Sequence, residues 1–128
     1  MQLKCVSYIG QPCVRNDAKI VVGTPGRVCD MILHRALLVD LVNIVVLDDA
    51  DEMMSRGLKD LIYEIFKSTP LGVQVCLFSE TVPAEAHSIM SDFMRDPVSI
   101  FHERVGLARY IEVREIAPLY HLHSVAIS

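Results

Sequence analysis

The nine residues Ile44 to Glu52 (Ile-Val-Val-Leu-Asp-Asp-Ala-Asp-Glu) constrain this chain more than any other stretch. Four apolar residues, three of them β-branched, run straight into an acidic cluster. An apolar run this short, bounded by polar residues, marks a strand buried on both faces. The carboxylates then fall where the strand gives way to a helix. In open α/β sheets the carboxyl ends of the strands are where ligands bind, so the cluster lies on the expected functional edge. One Asp there would serve as a helix N-cap. Three Asp and one Glu between positions 48 and 52 exceed what capping needs, and a divalent cation is their natural neutraliser.

The same alternation of apolar run and polar end recurs along the chain. Residues 3–9 form a short strand candidate ending at Gly10, and Lys19 to Val22 a second run stopped by Gly23. Thr24 is a favoured N-cap and Pro25 suits the first helical position, so a helix is expected from about 25 to 36. Leu58, Leu61, Ile62, Ile65 and Phe66 form an i, i+3, i+4, i+7, i+8 stripe, the apolar face of an amphipathic helix. Gln74 to Phe78 reads as another strand, Pro83 opens another helix, and Val98 to Phe101 reads as a last strand. From His102 onward no clear period remains. Strands alternating with helices imply βαβ units and a parallel sheet, here expected to carry helices on both faces. In such a sheet Thr24-Pro25-Gly26-Arg27, Asp48 to Asp51 and Ser79-Glu80-Thr81 all end on one edge.

Composition narrows the function classes. A length of 128 residues holds at most one domain. A hydrophobic content of 52% is high for a soluble protein; it fits a buried sheet and suggests a piece of something larger. No apolar run approaches the ~20 residues of a membrane span, and no secretory signal is visible, so the expected location is cytoplasmic. The net charge is −4 with no basic block, so any nucleic-acid contact must rest on a few placed groups. Cys5, Cys13, Cys29 and Cys76 form no CxxC pair and read as reduced thiols. His121-Leu122-His123 offers two imidazoles, too few for a zinc site.

Four segments, VVGTPGRVCDMI, VLDDADEMMSRGLKDLIYEIF, QVCLFSET and FMRDPVSI, stand in an order that resembles the first RecA-like domain of a DEAD-box RNA helicase, nearest the translation-initiation-factor-4A type. The resemblance covers about residues 5–101, which are expected to form a partial domain (1–101), with 102–128 a divergent tail. It implies ATP and Mg²⁺ as cofactors, with Asp48 holding the metal and Asp49 at the position that activates the attacking water, both of them nucleotide-site residues. It implies that Ser79 and Thr81 link hydrolysis to RNA binding. It further implies that Thr24, Pro25, Gly26 and Arg27, with Gly10, contact the RNA backbone. Elementary chemistry agrees for the four consecutive residues, because amides at a helix N-terminus suit a phosphate and Arg27 adds a charged fork.

The departures weigh as much. No GxxxxGK[ST] phosphate loop occurs, so the backbone cradle and its Lys are missing. The adenine-reading segment and the second RecA-like domain are missing too, and LYHLHSVAIS is only faintly similar to that domain's start. Without the phosphate-loop strand, Val75 to Phe78 is expected to be a bare hydrophobic edge. Asp49 replaces the family's Glu and retracts the carboxylate by a methylene; a misplacement of about 1 Å can cost ~10²-fold in rate. Glu80 replaces an Ala and adds a carboxylate beside Asp48 and Asp49, and Gln11 replaces the second residue of a Gly-Gly pair. The chain is thus expected to be a truncated or divergent helicase that alone neither binds ATP tightly nor hydrolyses it. The alternative is a non-enzymatic module that holds RNA backbone weakly or docks on an initiation-factor scaffold protein; no membrane partner is expected.

Overall fold

The computed structural model describes residues 5–7, 18–102, 107–111 and 124–127, with side chains over 18–100 and at 126 and 127. Gly10, Gln11, Cys13 and the His121–His123 pair lie outside them. Among the described residues seven strands form one sheet: β1 (Cys5–Ser7), β2 (Ile20–Gly23), β3 (Ile44–Leu47), β4 (Gln74–Ser79), β5 (Val98–His102), β6 (Leu107–Ile111) and β7 (Ser124–Ile127). Four described helices, α1 (Pro25–Leu33), α2 (Ala50–Ser55), α3 (Lys59–Ser68) and α4 (Ala84–Phe93), connect β2 through β5.

The spatial order is β1-β2-β7-β3-β4-β6-β5. The strands β1 to β5 advance in one direction, all parallel, and leave two gaps of one strand each. β7 fills the gap between β2 and β3 and is parallel to both. β6 fills the gap between β4 and β5 and is antiparallel to both. The edge expected to be bare at Val75 to Phe78 is therefore covered: Cys76 to Ser79 pair with Ile111 to Ala108. Likewise Ser124–Ile127 is a central strand of this sheet. Neither strand has a sequence signature; their backbone groups pair because two flanking ladders demand partners.

One-way travel also corrects the expected placement of the helices. Crossovers between parallel strands are right-handed, so steps in a single direction put the crossovers that carry α1, α2 with α3, and α4 on the same face. Consistently, α1 packs on α3, and α3 and α2 pack on α4. Burial alternates along each strand: Val21, Val45, Leu47, Val75, Leu77 and Ile127 are sealed beneath the helices, at most 5% exposed. Their neighbours Val22, Ile44, Val46 and Ala126 point to the other face and stay half-buried. Among the described residues, no helix lies on that second face.

The helices themselves follow the apolar stripes. Ile62, Ile65 and Phe66 of α3 are buried, and Phe66 stacks on Phe93 of α4 with ring centroids 4.7 Å apart. α1 stops at Leu33, three residues before its expected end. Arg35 takes φ 54°, and Ala36 and Arg35 donate their amides to the carbonyls of Met31 and Ile32 at 2.8 and 3.0 Å. That is a Schellman stop, normally built on Gly; an Arg there hides it from sequence. Arg35→Gly is expected to raise stability by about 1 kcal/mol, since only the left-handed backbone penalty is removed, measurable as a higher urea midpoint.

Candidate functional site at the carboxyl rim of the sheet

Register sets the geometry of the rim. Gly23, Ile127, Leu47 and Leu77 lie level across four adjacent strands. The next residue after β2 is Thr24 and after β3 is Asp48, while Ser79 ends β4 one step further on. The three polar segments thus share one rim. Thr24 and Asp48 are separated by β7, about 10 Å at two strand spacings, and Asp48 and Ser79 belong to neighbouring strands.

Asp51 holds the centre of this rim together. Its amide donates to the Ser79 hydroxyl oxygen at 3.0 Å. Its carboxylate accepts from the Thr81 amide at 2.9 Å, from the Thr81 hydroxyl at 2.8 Å and from the Glu52 amide at 3.1 Å. α2 is thereby fastened to the end of β4. Partial burial pushes the Asp51 carboxyl up, but the bonds from Thr81, Ser79 and Glu52 outweigh it and hold its pKa below the ordinary value. Ser79 is 2% exposed, consistent with a hydroxyl that serves this junction. Sequence reasoning ranked Ser79 and Thr81 but missed Asp51 as their partner. The available signal was an acid just past one strand end, level with a hydroxyl pair on the next.

Asp48 and Asp49 are exposed. The Asp48 amide donates to the Ile127 carbonyl at 2.9 Å, so β7 fixes where this aspartate leaves the sheet. Asp49 has φ 51° and ψ 47°, a left-handed backbone that Asp tolerates better than most side chains. The shorter acid is therefore locally comfortable at this turn. A cleft of about 500 Å³ beside it is lined by Asp49, Asp51, Glu52, Ser55, Glu80 and Thr81. Four of these six are carboxylates and none is a cation; Glu52 is itself paired with Arg56. Glu80 contributes to the negative wall. The wall of this cleft is therefore acidic, offset only where Arg56 meets Glu52. Among the described residues no group of three or more His, Cys, Asp or Glu converges on a metal position.

At the β2 end, Thr24 caps α1 by position only, for its side chain makes no capping bond. Pro25 is buried while Thr24 and Gly26 are exposed. Pro25 has no N–H, so the amides of Gly26 and Arg27 are the free donors at this helix start. A Cβ added to Gly26 would meet only Leu61 Cδ1, at an ordinary 3.9 Å, so packing alone does not require glycine. Arg27 Nη1 is paired with Asp30 Oδ2 at 3.1 Å, and Asp30 also pairs with His34 Nδ1 at 3.1 Å. Arg27 Nε is buried without a partner. The Arg27–Asp30 pair was not foreseen; it is exposed, and such pairs contribute roughly 0–1 kcal/mol, so Arg27 can leave it at little cost.

A parallel sheet whose strand ends gather an acidic turn, a hydroxyl pair and a helix N-terminus defines a RecA-like α/β domain. The DEAD/DEAH box helicase family model matches residues 6–89. The chain is 49% identical over 107 residues to the ATP-dependent RNA helicase eIF4A of Schizosaccharomyces pombe, covering 78% of this chain and 27% of that protein. It is 47% identical over 114 residues to the Aspergillus clavatus protein of the same name, covering 84% and 29%. Among solved structures it is similar to a DEAD box protein from Methanococcus jannaschii, with TM-score 0.70 and 32% identity over 74% of this chain and 28% of that one. The chain belongs to the DEAD/DEAH box helicase family. It spans 27 to 29% of the length of these two curated relatives.

Proposed function

We propose that these 128 residues form a partial first helicase domain (1–101), completed by strands of a divergent tail (102–128), that retains an RNA-backbone contact and lacks nucleotide turnover of its own. The roles assigned to it are weak binding of RNA phosphate by Thr24, Pro25, Gly26 and Arg27, with Gly10 alongside. Ser79 and Thr81 act with Asp51 to hold the acidic turn. Asp48 keeps the position from which the family holds Mg²⁺, and Asp49 that of the water-activating acid. One observation carries this reading. The exposed helix start at Thr24 shares a rim with Asp48 and Ser79, while the cleft beside Asp49 is walled by carboxylates.

RNA-stimulated ATP hydrolysis is the whole family's activity; for this chain ATP turnover with and without RNA is expected to stay at background. Turnover stimulated by RNA would overturn the inactive assignment. RNA binding is expected at low salt and to fall several-fold on Arg27→Ala, because one charge-assisted phosphate bond is removed. Fluorescence titration of a single-stranded RNA checks this, and unchanged affinity removes Arg27 from the role. A second reading, docking on an initiation-factor scaffold, would leave RNA binding absent and appear instead in a pull-down with that scaffold. No helix among the described residues is long and apolar enough to cross a membrane.

A further inference from the structure

We propose that the gap between β2 and β3 is a strand-acceptor site, filled within one molecule by Ser124–Ile127 and open to the same four residues of a second copy. β2 and β3 are consecutive parallel strands joined by α1, so their crossover does not need β7. They nevertheless stand one strand apart, each offering an edge to the gap. β7 satisfies both: Ser124, Val125, Ala126 and Ile127 pair with Ile20 to Gly23 on one side and Ile44 to Leu47 on the other. Ile127 is fully buried, and its carbonyl accepts from the Asp48 amide. The site therefore recognises an extended parallel strand with this register and one branched apolar side chain at its end.

The strand does not arrive from a neighbour. β6 ends at Ile111 opposite Cys76, and β7 begins at Ser124 opposite Ile44. Ser124 stands at the amino end of β3 and Ile111 two residues in from the amino end of β4, with β4 and β3 between them. Three strand spacings amount to about 14 Å, whereas residues 112–123 could extend to ~40 Å. The tether is longer than the span, so the same four residues of one molecule can reach the gap of another. Every contact of the closed monomer is then remade in a strand-exchanged dimer. The balance rests on the effective concentration of the tethered strand, on the order of 1 mM. A second copy is favoured over an unrelated strand because it alone carries this register, and Ile127, in the sequence itself.

The test uses the full chain. Equal amounts of unlabelled and ¹⁵N-labelled protein are unfolded, mixed and refolded at ~1 mM and at ~10 µM, then read by native mass spectrometry. Dimer is expected at about half of the protein at the higher concentration and about 2% at the lower, roughly half of it in each case carrying mixed labels. A synthetic Ser124–Ser128 peptide in about tenfold excess should compete for the gap and reduce the dimer several-fold. Monomer at both concentrations, or a dimer indifferent to the peptide, overturns the proposal. Deleting residues 114–122 leaves a tether that reaches only ~10 Å, so this variant should be dimeric at ~10 µM. A folded monomer from it also overturns the proposal. If it does not fold, the label-mixing result decides.

Discussion

Ile127→Ala is expected to lower the stability of this protein by about 2–5 kcal/mol, the range for removing most of a fully buried aliphatic side chain. The residue is 0% exposed and sits level with Gly23 on one side and Leu47 on the other. The loss comes from the removed apolar contacts plus the cavity left between two strands that α1 cannot draw together. Total stability of a domain is only about 5–15 kcal/mol, so a large part of the molecules would unfold at moderate urea. A lower urea midpoint with an unchanged m-value identifies the effect as stability. Ile127→Val should cost about 1 kcal/mol. If alanine costs less than valine is expected to, the tail strand is not seated in the sheet.

Asp51→Asn is expected to cost about 2 kcal/mol at neutral pH. The Asp51 carboxylate accepts three hydrogen bonds, two from Thr81 and one from Glu52. Bonds to a charged acceptor contribute roughly 1.5–3 kcal/mol each, partly offset here because the site is open to water. The pH dependence follows from the sign of the shift. Its folded-state pKa lies below the ordinary carboxylate value. The stabilisation is therefore fully present above the unfolded pKa of about 3.9. It is lost as pH falls through the lower, folded-state pKa. Urea midpoints of wild type and Asp51→Asn should differ clearly at pH 7 and converge in acid. A gap that stays constant as the pH is lowered would show that the charge plays no part in the junction.

Local physics made much of the framework legible. Ile44–Leu47 and Gln74–Ser79 are strands because short β-branched and aromatic runs leave few alternatives. α3 follows its apolar stripe, with Ile62, Ile65 and Phe66 inside. The stop of α1 at Arg35 was illegible because a left-handed residue there is usually Gly, and only the Ala36 to Met31 bond reveals it. Leu107–Ile111 and Ser124–Ile127 were illegible for a different reason. Each is four or five residues long and carries no period of its own; pairing partners far away in sequence make it a strand. The Asp51 junction joins positions 28 to 30 residues apart, a separation that no helical or strand period encodes.

The amino-acid sequence by itself determined that strands and helices alternate and that three polar ends fall on one sheet rim. It also determined the family resemblance, since side-chain period and chain direction settle these before anything packs. Only the tertiary structure decided that β6 and β7 close two gaps in the sheet, that the crossover helices share one face, and that Asp51 binds Ser79 and Thr81. Those depend on which backbone edges and acceptors are left unsatisfied once distant segments meet. That is a property of the assembled sheet rather than of any one stretch.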